Sequence, residues 1–156
     1  MSGGEIFKAN ANGPLVKCQM SYGSSVALRA CMTAYPSKTD LIEERLVELA
    51  ATIVNFSAKI PRTAEGRHIA LQMVRSGTAA AANYGESRGA ESRADFIHKL
   101  RIVEKELNET GIWLRILSKT SLVSASLIVG IFAENTELSK IISASVKTAR
   151  TRAASI

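Results

Sequence analysis

The sequence of 156 residues is poor in aromatic residues, proline and cysteine, and each shortage excludes a class of fold. Aromatic residues make up 5% of the chain and only three prolines interrupt it, which favours long helices over a turn-rich β structure. The two cysteines, Cys18 and Cys31, both lie near the amino terminus, so no disulfide framework holds the fold. No apolar run approaches the ~20 residues that cross a bilayer. These absences predict a soluble cytoplasmic protein without a secretory signal or a membrane segment.

The positive charge of the chain is modest and unevenly distributed. The formal net charge is +6. Residues 1–39 carry four basic side chains and one acidic side chain, and residues 40–156 carry sixteen basic and thirteen acidic. Strong nucleic-acid binding usually requires a larger excess of lysine and arginine, because the phosphates must be neutralised. The main part of the chain therefore gives only a weak indication of a nucleic-acid partner.

The first 38 residues differ in pattern from the rest. They contain four of the ten glycines, with scattered serine and asparagine, and no sustained hydrophobic period. We therefore predict an amino-terminal extension, residues 1–38, that is poorly ordered or only locally helical. Met32 precedes the first strong pattern, so translation could begin at Met1 or at Met32.

Four amphipathic patterns follow, with apolar residues spaced by three and four. The first predicts a helix over about 40–58, and the second a helix from an N-cap at Thr63 to about Ser87. The third runs from an N-cap at Ser92 to Leu117, and the fourth from about Leu127 to Arg150. Short connections between them predict an all-α protein, an up-down-up-down antiparallel four-helix bundle over residues 39–152. The small side chains of residues 77–82 predict the tightest helix crossing.

Two histidine motifs raise the question of a metal site. Glu65-x-x-His68 and Asp95-x-x-His98 match the step that builds di-iron sites in helical bundles. In an antiparallel hairpin, however, the starts of the second and third helices lie at opposite ends, so His68 and His98 are ~30 Å apart. A metal-dependent enzyme is therefore disfavoured, and no nucleophile, phosphate-binding or zinc motif is present. We predict no catalytic residues, no metal and no cofactor.

A polar stripe runs along the hairpin of the second and third helices. With the turn near residue 90, Arg75 is expected to pair with Glu106, and Asn83 to lie near Lys99. The stripe is interpreted either as a device that fixes helix register or as an assembly or binding surface. Its residues are Arg75, Asn83, Glu86, Lys99, Glu106, Glu109 and Trp113.

Several short segments of the sequence resemble those of one protein family. They are Arg75-Ser76-Gly77-Thr78, the segments 82–86 and 92–100, and the pairs Lys105-Glu106, Glu109-Thr110 and Trp113-Leu114. They resemble the bacterial four helix bundle proteins encoded in intervening sequences of 23S rRNA genes. That resemblance implies a ring, typically a homopentamer, with no established enzymatic activity. The chain is also similar to the more basic accessory proteins of diversity-generating retroelements, which are pentameric bundles that bind nucleic acid and a reverse transcriptase.

The sequence is consistent with two functional hypotheses. The first is a non-catalytic, self-assembling bundle whose partner is RNA or an RNA-associated protein. The second is a purely structural or protein–protein interaction module without nucleic-acid binding, in which the basic residues only keep the surface soluble. Under the first hypothesis the candidate nucleic-acid contacts are Arg62, Arg67, Arg88, Arg93 and Lys147.

Overall fold

The computed structural model describes residues 37–151, which form four long helices. They are α1 (Lys38–Ser57), α2 (Ala64–Arg88), α3 (Arg93–Ser118) and α4 (Ser126–Thr151). Each predicted helix is present, with bounds within about two residues of the expected ones. The predicted extension lies outside the described residues except for its last two positions, and so does Met32.

The beginnings of α2 and α3 are fixed by the two predicted caps. The Thr63 side chain accepts a hydrogen bond from the Gly66 amide at 3.1 Å, and Ser92 accepts one from the Asp95 amide at 3.1 Å. Each hydroxyl thus satisfies one of the amides that the first turn of a helix leaves without a partner. These two caps therefore determine where the hairpin helices start.

The helices form a closed sequence of neighbours: α1 packs on α2, α2 on α3, α3 on α4, and α4 back on α1. Consecutive helices run antiparallel, which confirms the up-down-up-down bundle. One end of the bundle carries the connections 58–63 and 119–125, and we call it the two-loop end. The opposite end carries the short connection 89–92 with the start of α1 and the finish of α4, and we call it the hairpin end.

The contact between α1 and α4 is the smallest of the four interfaces, and an ion pair crosses it. The guanidinium of Arg45 donates to both carboxylate oxygens of Glu134, at 2.8 and 3.1 Å. This two-point contact joins the first and last helices of the bundle. No helix in the described part of the chain has the length and apolar content needed to span a lipid bilayer.

The core follows the predicted stripes with one correction in α4. The predicted fourth pattern begins at the apolar residue Leu127, but this side chain is 45% exposed and Ile128 is buried instead. The reason is that the core positions of α4 repeat by three and four from Ile128, and this series includes the polar Asn135. The buried residues of α4 are Ile128, Ile131, Asn135, Leu138, Ile142 and Val146.

The small residues of α2 allow a close approach of α1, while the prediction that this is the tightest crossing of the bundle stays a prediction. A Cβ built on Gly77 would lie 2.5 Å from Cδ1 of Ile53, a fully buried side chain of α1. Such a separation is well inside van der Waals contact. The absence of a side chain at Gly77 therefore sets the distance between these two helices.

Candidate functional site

The polar stripe of the hairpin is organised around Glu109. Its Oε1 atom accepts a hydrogen bond from Arg75 at 2.8 Å and another from the indole Nε1 of Trp113 at 3.3 Å. The hydrogen bond from Arg75 lowers the pKa of the Glu109 carboxyl below its usual value, and the bond from Trp113 acts in the same direction. Glu109 therefore stays ionised at neutral pH. It links Arg75 of α2 with Trp113, which lies one turn further along α3.

The predicted ion pair between Arg75 and Glu106 is wrong, because Arg75 pairs with Glu109. The two glutamates lie on the same face of α3, one turn apart, so the helical period alone does not distinguish them. The pairing of Lys99 with Glu86 shows the same shift in register. Asn83 donates to the carbonyl of Ala79 in its own helix, and its expected position near Lys99 stays a prediction.

Glu106 of the polar stripe is half-buried. Burial raises its pKa above the usual value, the nearby charge of Glu109 adds to this, and Arg75 opposes it. A raised pKa in the folded state means that the folded protein holds this proton more tightly than the unfolded chain. Stability is therefore lost as the pH rises through the raised pKa of Glu106.

We expect Glu106→Gln to raise the melting temperature at pH 7, because it removes a carboxylate that is unfavourable when ionised. The difference should vanish at about pH 3, where both states carry the proton. Glu109→Gln provides the matched control with the opposite sign: its lowered pKa stabilises the fold at neutral pH, and this stability is lost on acidification. Thermal melts of the unaltered protein and of the two variants, measured between about pH 3 and pH 7, test both expectations. Equal shifts for both variants would contradict the assignment.

Buried polar contacts lie inside the bundle beneath this stripe. The hydroxyls of Ser76 and Thr110 are 2.8 Å apart and fully buried, and Ser76 also donates to the carbonyl of Gln72. On α4, Asn135 donates to the carbonyl of Leu107 at 3.1 Å, while its Oδ1 has no partner among residues 37–151. Asn135 was not among the residues predicted from the sequence, although its place in the three-four spacing was the available signal. The hydrogen bonds of Ser76 with Thr110 and of Asn135 with Leu107 form in only one alignment of the helices, which favours a single register.

Exposed apolar side chains border the polar stripe on the outer side of the hairpin. Leu71 of α2 is 66% exposed, and Ile112 and Ile116 of α3 are 52% and 39% exposed. The contact of Ser76 with Thr110 fixes the register, so these three side chains lie at about the same level along the hairpin. We call this surface, with Arg75 and Glu109, the hairpin face. Large apolar groups in such a cluster are typical of an interaction surface.

The two histidines lie at opposite ends of the hairpin, as expected from the sequence. His68 is in the second turn of α2, and its ring packs edge-on against Trp113 with 5.6 Å between the ring centroids. His98 is in the second turn of α3, at the other end. Within residues 37–151, no group of three or more potential ligands is arranged to hold a metal ion.

The five candidate nucleic-acid contacts do not form one surface. Arg62 and Arg67 lie at the two-loop end, whereas Arg88, Arg93 and Lys147 lie at the hairpin end. Arg67 and Arg88 are separated by about 30 Å along α2 at the usual helical rise. In addition, Arg88 is engaged by the carboxylates of Asp40 and Glu43.

The geometry defines an antiparallel four-helix bundle, and known proteins share this fold. The model of the family described as 23S rRNA-intervening sequence protein matches residues 41–144. A crystal structure from Bacteroides thetaiotaomicron, described as a protein with unknown function from the S23 ribosomal protein family, is 34% identical. It superposes with a TM-score of 0.66 and covers 71% of this chain and 99% of that one. No curated protein matches the sequence.

This chain therefore belongs to the 23S rRNA-intervening sequence protein family. The resemblance seen in the hairpin sequence is confirmed, and the matched region includes α2 and α3 entirely and most of α1 and α4. The description of the solved relative assigns it no activity.

Proposed function

We propose that this protein is a non-catalytic bundle that assembles with copies of itself through the hairpin face and binds RNA or an RNA-associated protein. The observation that carries the assembly is the cluster of Leu71, Ile112 and Ile116 beside an ion pair. Burying such side chains between subunits is favourable by roughly 25 cal/mol per Å² of apolar area. The resemblance to ring-forming bundles supports a closed homo-oligomer, a pentamer, over an open chain.

The composition of the hairpin face supports a second copy as its partner. The face contains one exposed cation, Arg75, and one half-buried carboxylate, Glu109, next to apolar groups. In a ring of five subunits this face meets a different surface of the next copy, and a face with both charge signs can do so without a build-up of like charge. Self-association therefore needs no separate protein of complementary charge.

The RNA part of the proposal is supported by charge and by multivalency. The chain carries a net charge of +6, and assembly repeats each basic region once per subunit. Weak contacts repeated in this way bind a long polyanion more strongly than a single subunit does. The protein–protein alternative predicts instead that the partner remains bound after nuclease treatment.

We expect Leu71→Asp combined with Ile112→Asp to convert the assembly to monomers, because two charges would have to be buried at each contact. Val129→Asp combined with Leu127→Asp is the matched control, since these two residues of α4 are 66% and 45% exposed, close to the fractions of Leu71 and Ile112. Size-exclusion chromatography with light scattering, with and without ribosomal RNA, measures assembly and partner together. A monomeric unaltered protein, or an equal effect of the α4 double variant, would contradict assembly through the hairpin face.

A further inference from the structure

The two ends of the bundle differ in charge. At the two-loop end, residues 58–68 and 115–133 contain five lysines and arginines and a single carboxylate, Glu65. At the hairpin end, residues 37–44, 86–98 and 144–151 contain five cations and six carboxylates. Within residues 37–151, the excess of positive charge is thus concentrated at one end. The cations of the two-loop end are Lys59, Arg62, Arg67, Arg115 and Lys119.

Helix dipoles do not account for this difference. Each end of an up-down bundle has two helix amino termini and two carboxyl termini, so the dipole charges largely cancel there. The excess at the two-loop end therefore comes from side chains, and these extend from the surface into solvent, since all five residues are exposed.

The five cations of the two-loop end do not form ion pairs within residues 37–151. None of the five forms a salt bridge with a carboxylate of residues 37–151. The contact of Arg67 is with the carbonyl of Arg62, at 2.5 Å. Glu65 is held by its own amide and by the Thr63 hydroxyl, which, with the charge of Arg67, lower its pKa. At the hairpin end, by contrast, Arg88 contacts both Asp40 and Glu43.

We infer that the two-loop end is the surface that binds the phosphate backbone of RNA, an inference that rests on the proposed function. Three of its five cations are arginines, whose planar guanidinium groups match phosphate oxygens in two-point hydrogen bonds. Binding at this end neutralises phosphates and releases counterions, so it is salt-dependent and carries little sequence preference. Arg88, Arg93 and Lys147, at the other end, contribute little.

A hydrophilic polyanion suits this surface better than a bilayer does. The cations lie on and beside two short connections, whereas membrane-surface binding requires basic residues along one side of an apolar helix face. Phospholipid headgroups also present phosphate, and for that reason anionic vesicles are included in the test.

The test compares two triple variants that remove the same charge from opposite ends. Arg62→Ala, Arg67→Ala and Lys119→Ala together remove three exposed cations from the two-loop end. Anisotropy of a labelled structured ribosomal RNA, titrated at several salt concentrations between about 50 and 300 mM, gives the affinity and its salt slope. We expect the slope to fall by about 2 to 3 and the affinity at about 100 mM salt to fall more than tenfold.

The matched control, Lys38→Ala with Lys147→Ala and Arg150→Ala, removes three exposed cations from the hairpin end. We expect its salt slope to stay within about 0.5 of the unaltered protein. Circular dichroism melts check that both variants fold. The pair Lys59→Ala with Lys119→Ala, against Lys38→Ala with Lys147→Ala, replaces the triple variants where folding is impaired.

The outcomes separate this inference from the proposed function. Equal losses from both ends would overturn the two-loop end as the binding surface and leave RNA binding intact. No binding of RNA by the unaltered protein at low salt would overturn RNA binding itself. Binding to vesicles of anionic phospholipid without binding to RNA would also overturn the inference. A loss confined to the two-loop variant is the result we expect.

Discussion

Gly66→Ala is expected to lower the melting temperature of the bundle by about 10 to 20 °C, which corresponds to ~3 kcal/mol of lost stability. A Cβ at Gly66 would lie 2.0 Å from the carbonyl oxygen of Pro61, a backbone atom that no side-chain rotation can move away. The methyl group would also come within 3.3 Å of Ile60. The 58–63 connection would therefore have to move outward from α2.

That movement would disturb more than one contact. Ile60 is 4% exposed and belongs to the core, so displacing the connection exposes apolar surface. The Gly66 amide also donates to the Thr63 hydroxyl that caps α2, and loss of a cap costs about 1 kcal/mol. The steric clash, the exposure of core surface and the loss of the cap thus all destabilise the fold.

Gly130→Ala is the matched control for this experiment. Gly130 is also helical, but a Cβ there would have no neighbour within 4 Å among the described residues. Alanine should stabilise α4 by about 0.5 to 1 kcal/mol, because glycine is a poor helix former. Thermal melts at one fixed protein concentration compare the variants, since the proposed assembly would make the midpoint depend on concentration. A Gly66→Ala protein as stable as the unaltered one would show that the connection does not pack on α2 as described.

The positions of the helices were predictable because their signals are local. Thr63 and Ser92 are caps that the sequence displays directly, and the three-four spacing of apolar residues marks each buried face. The predicted and observed bounds of α2 and α3 accordingly agree closely. Likewise, the run of small side chains around Gly77 indicated a close crossing before the partner, Ile53, was known.

Features that depend on how helices are placed against each other were not predictable in the same way. A shift of one turn exchanges Glu106 for Glu109 as the partner of Arg75, and both choices satisfy the same helical period. The ion pair of Arg45 with Glu134 joins residues 89 positions apart, and nothing local marks it. The clash at Gly66 depends on the path of the preceding connection, which the sequence does not specify.

The grouping of basic residues into one site depends on the topology of the bundle. The sequence offered Arg62, Arg67, Arg88, Arg93 and Lys147 as one set of contacts, but antiparallel packing divides them between two ends. Counting charge by end rather than along the chain adds Lys59, Arg115 and Lys119 to the first two.

The proposed assembly surface and the proposed RNA surface can be used at the same time. The hairpin face lies on the side of the bundle, whereas the basic connections lie at its end. If copies associate side by side around a rotation axis that runs along the helices, every two-loop end lies on the same rim of the ring. The five cations of one subunit are then repeated around that rim, which favours multivalent contact with a long RNA.

A double-mutant cycle between Gly77 and Ile53 is expected to show strong coupling across the crossing of α1 and α2. Gly77→Ala alone should cost about 1 to 2 kcal/mol, because its Cβ meets Cδ1 of Ile53 at 2.5 Å and the clash exceeds the gain in helix propensity. Ile53→Val alone removes that Cδ1 atom and should cost about 0.5 to 1.5 kcal/mol.

In the double variant the new methyl group occupies the space that Cδ1 leaves. The next atoms of residue 53, Cγ2 and Cβ, lie 3.4 and 3.6 Å from the built Cβ, which are ordinary contacts. We therefore expect the double variant to be within about 0.5 kcal/mol of Ile53→Val, rather than at the sum of the two single costs. Urea denaturation of the four proteins at one concentration gives the coupling energy. Additive costs would mean that Gly77 and Ile53 do not meet, and that the small residues of α2 serve some purpose other than the close approach of α1.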